Sequence, residues 1–538
     1  MARNLYLICA FLLFSISVKA QIFTESNLPI VVINTNGKAI VDEPKIEVDF
    51  KIIYNGVGKI NRLTDTNYDY VGKAAIELRG SSSQSISEKK PYSIELHDAA
   101  GNDREASILG MAKTEDWALI APYSDKTHIR DALTYRLAGD MMAWSPDTRF
   151  CELFVNNDYR GIYVITERIK RSKDLLNIAK LDTFPNATGD ALTGGYILKV
   201  DKQTGNTQGI EAGWSSNFKM YSYNRTFFQY HYPEPASMKT PQKDYIKNAV
   251  KNFETALVGA DFTDSVKGYR AYFDVQSLID FCIINELTKN LDGYRISTYF
   301  YKDRNSINPK FKMGPVWDFN LALGNGNFCN AVSPYGWQYL NTNECSINNP
   351  FWWQRFFEDP YFKKAFRDRW LALRKTTLSM PYINKVIDSM TTVLNAPQGR
   401  NFRRWDYLTK YVWPVPQIAG TYAGEIDFLK NWTATRMLWI DDEVKSFHLS
   451  NLPKDVKELD VFPNPTTTQV HFAFYLNTVQ RVSINLYNAT GQVMTQYDKT
   501  QARGDNRIEI NTPSVSGVYF YQFFLDGKLW RVGKVFVK

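Results

Sequence analysis

Histidine and cysteine are scarce in this 538-residue chain, which has five of each. No two histidines lie at metal-ligand spacing, and no Cys-x-x-Cys pair occurs, so a zinc ribbon is excluded and zinc proteases lose support. The chain also lacks a Gly-x-Ser-x-Gly motif and a Walker phosphate-binding loop. These absences argue against hydrolases of the triad type and against P-loop enzymes.

A long basic block is also missing, although the formal net charge is +8. Nucleic-acid binders usually gather lysine and arginine on one helix or stripe, whereas the densest run here is the short Glu167-Arg168-Ile169-Lys170-Arg171. We therefore expect no nucleic-acid partner. With 44% hydrophobic and 22% charged residues, the composition is that of a soluble globular protein. The length predicts about two to four domains.

The apolar run at the amino terminus is too short to span a bilayer, and no long apolar run follows it. Arg3 supplies a positive start, residues 5–18 form the apolar stretch, and Val18-Lys19-Ala20 is a small-residue cleavage site. We predict a signal peptide over residues 1–20, export of the protein and no transmembrane span.

Four cysteines remain once the signal peptide is removed, and they allow about three pairings. Cys329 and Cys345 flank one loop-like segment, so we predict a disulfide between them. Cys282 lies among apolar residues, which favours a buried free thiol.

The hydrophobic pattern predicts an α+β core followed by a small all-β domain. The predicted core strands lie within residues 28–51, around an Asn36-Gly37 turn, and at 74–79, 91–96, 149–155, 161–167, 297–302 and 310–313. The predicted helices cover 126–142, 242–257, a segment capped by Asp274 that reaches about 290, and much of the chain after 352. Short β-type runs at 470–475, 482–487, 507–510 and 517–524 predict a terminal sandwich.

Two aspartates flank the predicted hairpin of residues 297–313. Asp292 follows the helix before it, and Asp318 follows its second strand. Because a hairpin returns the chain to its starting point, we expect both carboxylates at one end. Phosphoryl transfer needs such a pair, one to accept the hydroxyl proton and one to hold magnesium. The alternative is that both are ordinary turn or cap residues.

The order of the upstream elements favours the catalytic interpretation. A strand that carries Lys90, then a helix, two strands, further helices and the two aspartates is the element order of a protein kinase. The alternative for Lys90 is that it merely flanks an edge strand.

Several linked motifs between about residue 28 and residue 439 resemble the CotH family. They are Glu77-Leu78-Arg79-Gly80-Ser81-Ser82-Ser83, Lys89-Lys90-Pro91-Tyr92, Asp116-Trp117, Ala121-Pro122-Tyr123-Ser124-Asp125-Lys126, Gly161-Ile162-Tyr163-Val164-Ile165-Thr166-Glu167, Gly194-Gly195-Tyr196-Ile197-Leu198, residues 285–292 and Trp317-Asp318-Phe319. CotH proteins are atypical protein kinases known from spore coats. The resemblance implies a kinase-like fold that uses ATP and Mg²⁺.

From their positions in the CotH motifs, the resemblance implies that Asp292 is the catalytic base and that Asp318 is a metal ligand. It makes Lys90 the phosphate-binding lysine with Arg79 as a helper, although a structural ion pair is the alternative for Arg79.

The chain departs from the kinase and CotH patterns at two positions. Ser297 stands where kinases carry a metal-binding Asn. Asn320 stands where many CotH sequences have a second Asp; it remains a candidate metal ligand, but the loss of charge lowers the expected metal affinity. The helix predicted over 126–142 also lacks a Glu to pair with Lys90, and Asp131 is the nearest acidic candidate.

The carboxyl-terminal residues resemble the type IX secretion sorting domain. The motifs are Val461-Phe462-Pro463-Asn464-Pro465-Thr466, Tyr487-Asn488-Ala489-Thr490-Gly491-Gln492-Val493, Gly517-Val518-Tyr519-Phe520 and Lys534-Val535-Phe536-Val537-Lys538. The resemblance implies contact with the secretion machinery, delivery to the outer cell surface and a Bacteroidetes-type bacterium. The alternative is an ordinary terminal sandwich.

Together these observations predict four segments: a signal peptide at 1–20, a CotH kinase-like domain at 21–450, a linker at 451–457 and a sorting domain at 458–538. The expected fold is an atypical protein-kinase-like core, β-rich to about residue 75, followed by an immunoglobulin-like sandwich. The expected function is transfer of phosphate from ATP to Ser or Thr of a protein.

The alternative function is a weakly active or inactive surface scaffold or adhesion protein that binds polysaccharide or protein. Trp352, Trp353 and Trp413 would bind polysaccharide if they are exposed, and buried packing is the other role open to them.

Overall fold

The structure is a computed structural model that describes residues 23–80, 84, 86–202, 212–219, 225–340, 349–447, 456–476 and 478–538. The predicted signal peptide and most of the predicted linker lie outside these residues, so both stay predictions. The chain divides into two compact units, Met1–Lys445 and Ser446–Lys538. No described helix is both long and apolar enough to cross a membrane.

The first unit opens with a closed barrel in the strand order β1-β2-β3-β4-β5-β7-β6. The strands are β1 (Ile30–Asn34), β2 (Ile46–Ile53), β3 (Tyr68–Leu78), β4 (Tyr92–His97), β5 (Asp116–Ile120), β6 (Thr148–Val155) and β7 (Asp158–Glu167). Neighbours are antiparallel except at the closure, where β1 runs parallel to β6 with Ile30 opposite Glu152. The β-rich part of the core thus extends to Glu167, whereas the sequence predicted that it would end at about residue 75.

Apolar side chains from these strands fill the barrel. Phe50, Ile76 and Trp117 are among the buried residues of this core. Each strand places alternate side chains on one face, so the β-branched and aromatic residues that alternate along the chain point inwards.

A second sheet has the order β12-β11-β8-β10-β9 and is antiparallel throughout. Its strands are β8 (Tyr196–Val200), β9 (Gly213–Ser215), β10 (Phe227–Tyr232), β11 (Thr298–Lys302) and β12 (Phe311–Met313). The helices are α1 (Arg130–Gly139), α2 (Asp190–Thr193), α3 (Thr240–Val258), α4 (Val275–Thr288), α5 (Trp352–Phe356), α6 (Pro360–Leu373), α7 (Met380–Arg404) and α8 (Tyr422–Ser446).

Aspartate carboxylates set where two of the predicted helices begin. The Asp274 carboxylate accepts the backbone N–H of Ser277 at 2.8 Å and starts α4, as predicted. The helix predicted from residue 126 begins only at Arg130, because the Asp125 carboxylate holds the preceding turn by accepting the N–H groups of Thr127 and Arg130.

The second unit is all-β, as predicted. One sheet has the order β13-β14-β17 and the other β16-β15-β18-β19. The strands are β13 (Val456–Phe462), β14 (Gln469–Leu476), β15 (Gln480–Tyr487), β16 (Val493–Gln501), β17 (Gly504–Asn511), β18 (Gly517–Leu525) and β19 (Lys528–Val537). Burial alternates along β14, which leaves one face for the core. Its immunoglobulin-like topology stays a prediction.

The cysteines and tryptophans can be placed on this fold. Cys282 is a buried free thiol, as predicted, and so is Cys151. Cys329 is disulfide-bonded, whereas its predicted partner, residue 345, lies outside the described residues. Trp352 and Trp353 are fully buried and therefore pack in the core, while Trp413 is 48% exposed.

Candidate functional site

Buried side chains form hydrogen bonds that hold the loop carrying Asp292. The Tyr294 hydroxyl donates to Oε1 of Glu286 at 3.0 Å, and the Trp353 indole N–H donates to the Tyr294 carbonyl at 2.9 Å. A Cβ on Gly293 would lie 2.1 Å from Oδ1 of Asn285, so any larger residue there would displace the buried Asn285 side chain. These contacts fix the loop at the end of α4.

The β11–β12 hairpin returns the chain to this loop, as the sequence predicted. The Ser297 hydroxyl lies 3.4 Å from Oδ2 of Asp318, and the Asn290 amide donates to the Asp318 carbonyl at 3.3 Å. Ser297 and Asp318 have φ values of 50° and 66°. Non-glycine residues rarely adopt this left-handed conformation, which persists where the surroundings enforce it and is concentrated at functional sites.

Helix α1 holds the other side of Asp318. The backbone N–H of Asp318 donates to the Tyr135 hydroxyl at 3.0 Å, and that of Phe319 donates to Oδ1 of Asp131 at 2.7 Å. The Tyr135 and Trp317 rings are stacked, with centroids 5.9 Å apart. Because Asp131 and Tyr135 are one helical turn apart, a single face of α1 positions the loop.

The two aspartates lie close enough for the charge of Asp292 to act on Asp318. Burial, together with the charges of Asp292 and Asp131, raises the pKa of Asp318 to about 7. Burial also raises the pKa of Asp292, opposed by the Arg295 guanidinium 3.2 Å away. Crowded carboxylates repel one another, so the site favours a cation between them.

Arg79 belongs to this site. Its guanidinium lies over the Trp317 ring, 5.3 Å from the centroid. Burial lowers the pKa of Arg79, and the Asp318 charge opposes that shift.

Lys90 has other contacts. Its ammonium donates to the Gln84 carbonyl, and its own carbonyl accepts from the Tyr163 hydroxyl at 2.9 Å. Among the described residues, no hydrogen bond or ion pair joins Lys90 to Asp292 or Asp318. Its nucleotide-binding role stays a prediction.

Asn320 lies just after the metal-binding candidate. Its side-chain N–H donates to the Ser124 hydroxyl at 3.1 Å, and its carbonyl accepts from the Asn325 amide at 2.7 Å. These bonds fix the start of the segment after Asp318. The metal-binding role of Asn320 stays a prediction.

A cleft of about 620 Å³ borders the site through Tyr135. Arg136, Arg149, Tyr382 and Lys385 contribute to its walls, and neither Asp292 nor Asp318 lines it. The cleft is therefore a neighbour of the carboxylates and does not contain them.

The sequence analysis missed two contributors, Asp201 and Arg295. Asp201 directly follows β8, and its negative charge raises the pKa of both Asp292 and Asp318. In the sequence, the only indication of a site role for Asp201 is that it is an acidic residue at the end of an apolar, strand-like run. Arg295 lies in the loop of Asp292 itself.

The donor set fits a hard divalent cation. Carboxylate and hydroxyl oxygens are ligands that Mg²⁺ prefers, and Asp318 and Ser297 offer such oxygens 3.4 Å apart, within reach of the Asp292 charge. Arg79 adds a guanidinium suited to phosphate.

The comparison with protein families decides which family the chain represents. The model described as CotH kinase protein matches residues 76–440, more than half of the chain. The chain belongs to the CotH family. Residues 460–538 match the secretion system C-terminal sorting domain. The molecule is thus an exported CotH-family protein whose tail engages the type IX secretion machinery.

Other comparisons add little to the CotH assignment. No curated protein matches the chain. Among solved structures, an alkylpurine DNA glycosylase, AlkC, of Pseudomonas fluorescens bound to DNA with an abasic site analogue is 13% identical, with a TM-score of 0.13. The match covers 34% of this chain and 54% of that one, and so low a TM-score does not establish a shared fold.

Proposed function

We propose that this CotH-family protein transfers the terminal phosphate of ATP to Ser or Thr hydroxyls of a protein. The observation that carries the proposal is the position of Asp292 and Asp318 at one end of the β11–β12 hairpin, close enough for the charge of Asp292 to raise the pKa of Asp318. The match to a family described as kinase protein supports it. The kinase-like core fold belongs to this proposal.

Asp292 accepts the proton of the acceptor hydroxyl. As the hydroxyl oxygen bonds to the terminal phosphorus, the bond from phosphorus to the ADP oxygen breaks and the proton moves to the carboxylate. Burial raises the pKa of Asp292, which makes its carboxylate a better base at neutral pH. Arg295, 3.2 Å away, keeps that carboxylate oriented.

Asp318 would hold Mg²⁺, with the Ser297 hydroxyl beside it and Asn320 as a further oxygen donor. A bound Mg²⁺ would neutralise charge on the phosphates. Arg79 and Lys90 bind the nucleotide phosphates, and Trp317 holds the Arg79 guanidinium in place. The protein substrate meets the enzyme at the outer cell surface, where the sorting domain delivers it.

The test is magnesium-dependent transfer of labelled phosphate from ATP to a generic acidic or basic protein. We expect Asp318→Ala and Asp292→Asn to lower the rate by about 100-fold or more. Asp182→Asn is the matched control, because that carboxylate is half exposed and pairs with Arg304. Wild-type labelling that survives both site substitutions would refute the proposal.

A second candidate, polysaccharide binding, rests on one exposed tryptophan and the partly buried ring on which it stacks. Trp413 stacks almost parallel on Phe328, with centroids 5.9 Å apart, and sugar rings bind to such flat surfaces. In affinity electrophoresis, Trp413→Ala should abolish the retardation of the wild type by a bound polysaccharide. Equal mobility of the two proteins in that gel would exclude this binding role.

A further inference from the structure

One hairpin of the barrel wall brings an imidazole and two carboxylates together. The side chains are those of Glu95, His97 and Asp103, and one donor atom from each lies within 4.8 Å of the others. Ile94 and Leu96 of β4 belong to the barrel core. Because side chains alternate along a strand, Glu95 and His97 lie together on the opposite, outer face of β4.

The chain turns after β4 and places Asp103 directly opposite His97 in an antiparallel bridge. Backbone hydrogen bonds join the residues on both sides of this pair, from the Asp98 N–H to the Asn102 carbonyl and from the Arg104 N–H to the Leu96 carbonyl, each at 2.8 Å. His97 and Asp103 are therefore a non-hydrogen-bonded pair, the kind in which opposing side chains come closest.

A single carboxylate closes the turn of this hairpin. Oδ1 of Asp98 accepts the N–H of Ala100 at 2.8 Å and that of Asn102 at 2.9 Å. Gly101 between them has a φ of 85°, in the left-handed region that glycine adopts without strain. The hairpin thus holds its two sides in place before any ligand binds, which lowers the cost of ordering them.

The His97 imidazole makes no hydrogen bond within the part of the chain that the structure describes. Its Nδ1 is buried without a partner, and its Nε2 lies 3.9 Å from Oδ1 of Asp103, too far for a hydrogen bond. Two ligands of a tetrahedral zinc ion lie about 3.4 Å apart, because each is about 2.1 Å from the metal. A small rotation of the exposed Asp103 side chain would reach that spacing.

Glu95 adds a second carboxylate to this pair. The Lys45 ammonium donates to its Oε2, which leaves Oε1 for a cation. The ammonium of Lys73, the residue opposite His97 on β3, is bound by Asp49 at 2.8 Å. One imidazole nitrogen and two carboxylate oxygens are ligands that suit Zn²⁺, which often takes three protein ligands and keeps a position for water.

We propose that Glu95, His97 and Asp103 bind a zinc ion on the outer face of the barrel. The site uses none of the residues proposed for phosphate transfer and does not depend on that function. The ion would join β4 to the segment that returns beside it. Since it would bind the folded hairpin and not the unfolded chain, it would stabilise the first unit.

The test measures Zn²⁺ binding to the full chain by isothermal titration calorimetry at about pH 7.5, where an imidazole is neutral. His97→Gln and Asp103→Asn should each weaken binding by about 10- to 100-fold or more, since removal of even an outer-shell partner of a metal ligand has an effect of that size. Because Asp103 is exposed, its exchange for Asn should leave the melting temperature of the metal-free protein unchanged.

His471→Gln is the matched control. His471 also lies beside a carboxylate, that of Glu509 at 3.7 Å, but the pair has no third metal-binding side chain among the described residues. This variant should bind Zn²⁺ like the wild type. Zn²⁺ should also raise the melting temperature of the wild type and of His471→Gln, but not that of His97→Gln.

The outcomes separate this site from the carboxylates of the proposed catalytic site. Binding that is lost in Asp318→Asn and kept in His97→Gln would place the ion beside Asp318 and refute the hairpin site. A wild type that binds no Zn²⁺ would also overturn the proposal, as would Asp103→Asn protein with the affinity of the wild type. None of these results bears on phosphate transfer, which is measured by labelling.

Discussion

Asp131 links helix α1 to the residue that follows Asp318. Its Oδ1 accepts the Phe319 N–H at 2.7 Å, in a place where both groups are buried. A buried N–H without a partner is costly, so this bond stabilises the fold and keeps Asp318 in its strained conformation.

We expect Asp131→Ala to lower the free energy of unfolding by about 1–3 kcal/mol, because it leaves the Phe319 N–H unpaired. Phosphate transfer should fall as well, since Asp318 loses its position. Asp131→Asn is the control, because its amide oxygen can still accept the bond. Urea unfolding and labelled-phosphate transfer provide the two measurements; an alanine variant as stable as the wild type would contradict the prediction.

At the level of residues, the sequence predicted which side chains lie close together only where a local rule applies. The proximity of Asp292 and Asp318 was predicted because a hairpin brings its two ends together. Asp201 was not found, because its proximity depends on the pairing of β8 with β11, about a hundred residues apart in the chain. Arg295 was overlooked because an arginine in a loop has no periodic signal.

At the level of elements, Glu254 joins α3 to α5. Its carboxylate accepts from the Trp352 indole N–H and from the Ser216 hydroxyl, each at 2.9 Å. Burial raises the pKa of Glu254 to about 7, and these hydrogen bonds oppose the shift. The folded protein therefore binds this proton more tightly than the unfolded chain does.

This pKa predicts a stability that decreases with pH. Below pH 4.5 Glu254 is protonated in both the folded and the unfolded state, and its contribution to the free energy of unfolding is complete. That contribution decreases by about 3 kcal/mol as the pH rises from 4.5 to about 7. Glu254→Gln is neutral at every pH. Its melting temperature should therefore fall less than that of the wild type between about pH 5 and pH 7.5. Glu105→Gln, at an exposed position, should melt like the wild type. Identical pH profiles for Glu254→Gln and wild type would disprove the assignment.

The sequence predicted elements better than their assembly. Apolar residues at helical spacing located α3, and the Asp274 cap located the start of α4. The closed barrel was not predicted, because its last pair joins β1 to β6 in parallel and no local turn marks that contact.

At the level of the whole molecule, each unit has a hydrophobic core of its own. Phe50 and Trp117 belong to the core of the barrel, and Phe472 and Phe523 to that of the second unit. Separate cores favour separate cooperative transitions.

We therefore expect a chain of residues 21–447 to fold without the sorting domain and to keep the phosphate-transfer activity of the full chain. Differential scanning calorimetry should show two transitions for residues 21–538 and one, at an unchanged temperature, for the shorter chain. Aggregation or loss of the remaining transition would show that the two units depend on each other.

The parallel pairing of β1 with β6 also has a consequence for synthesis. Ile30 pairs with Ile53 on one side and with Glu152 on the other. A growing chain thus presents β1 with one open edge until residue 155 has been made, and such an edge can pair with other chains. We therefore expect the nascent protein to be most prone to premature strand pairing over this interval.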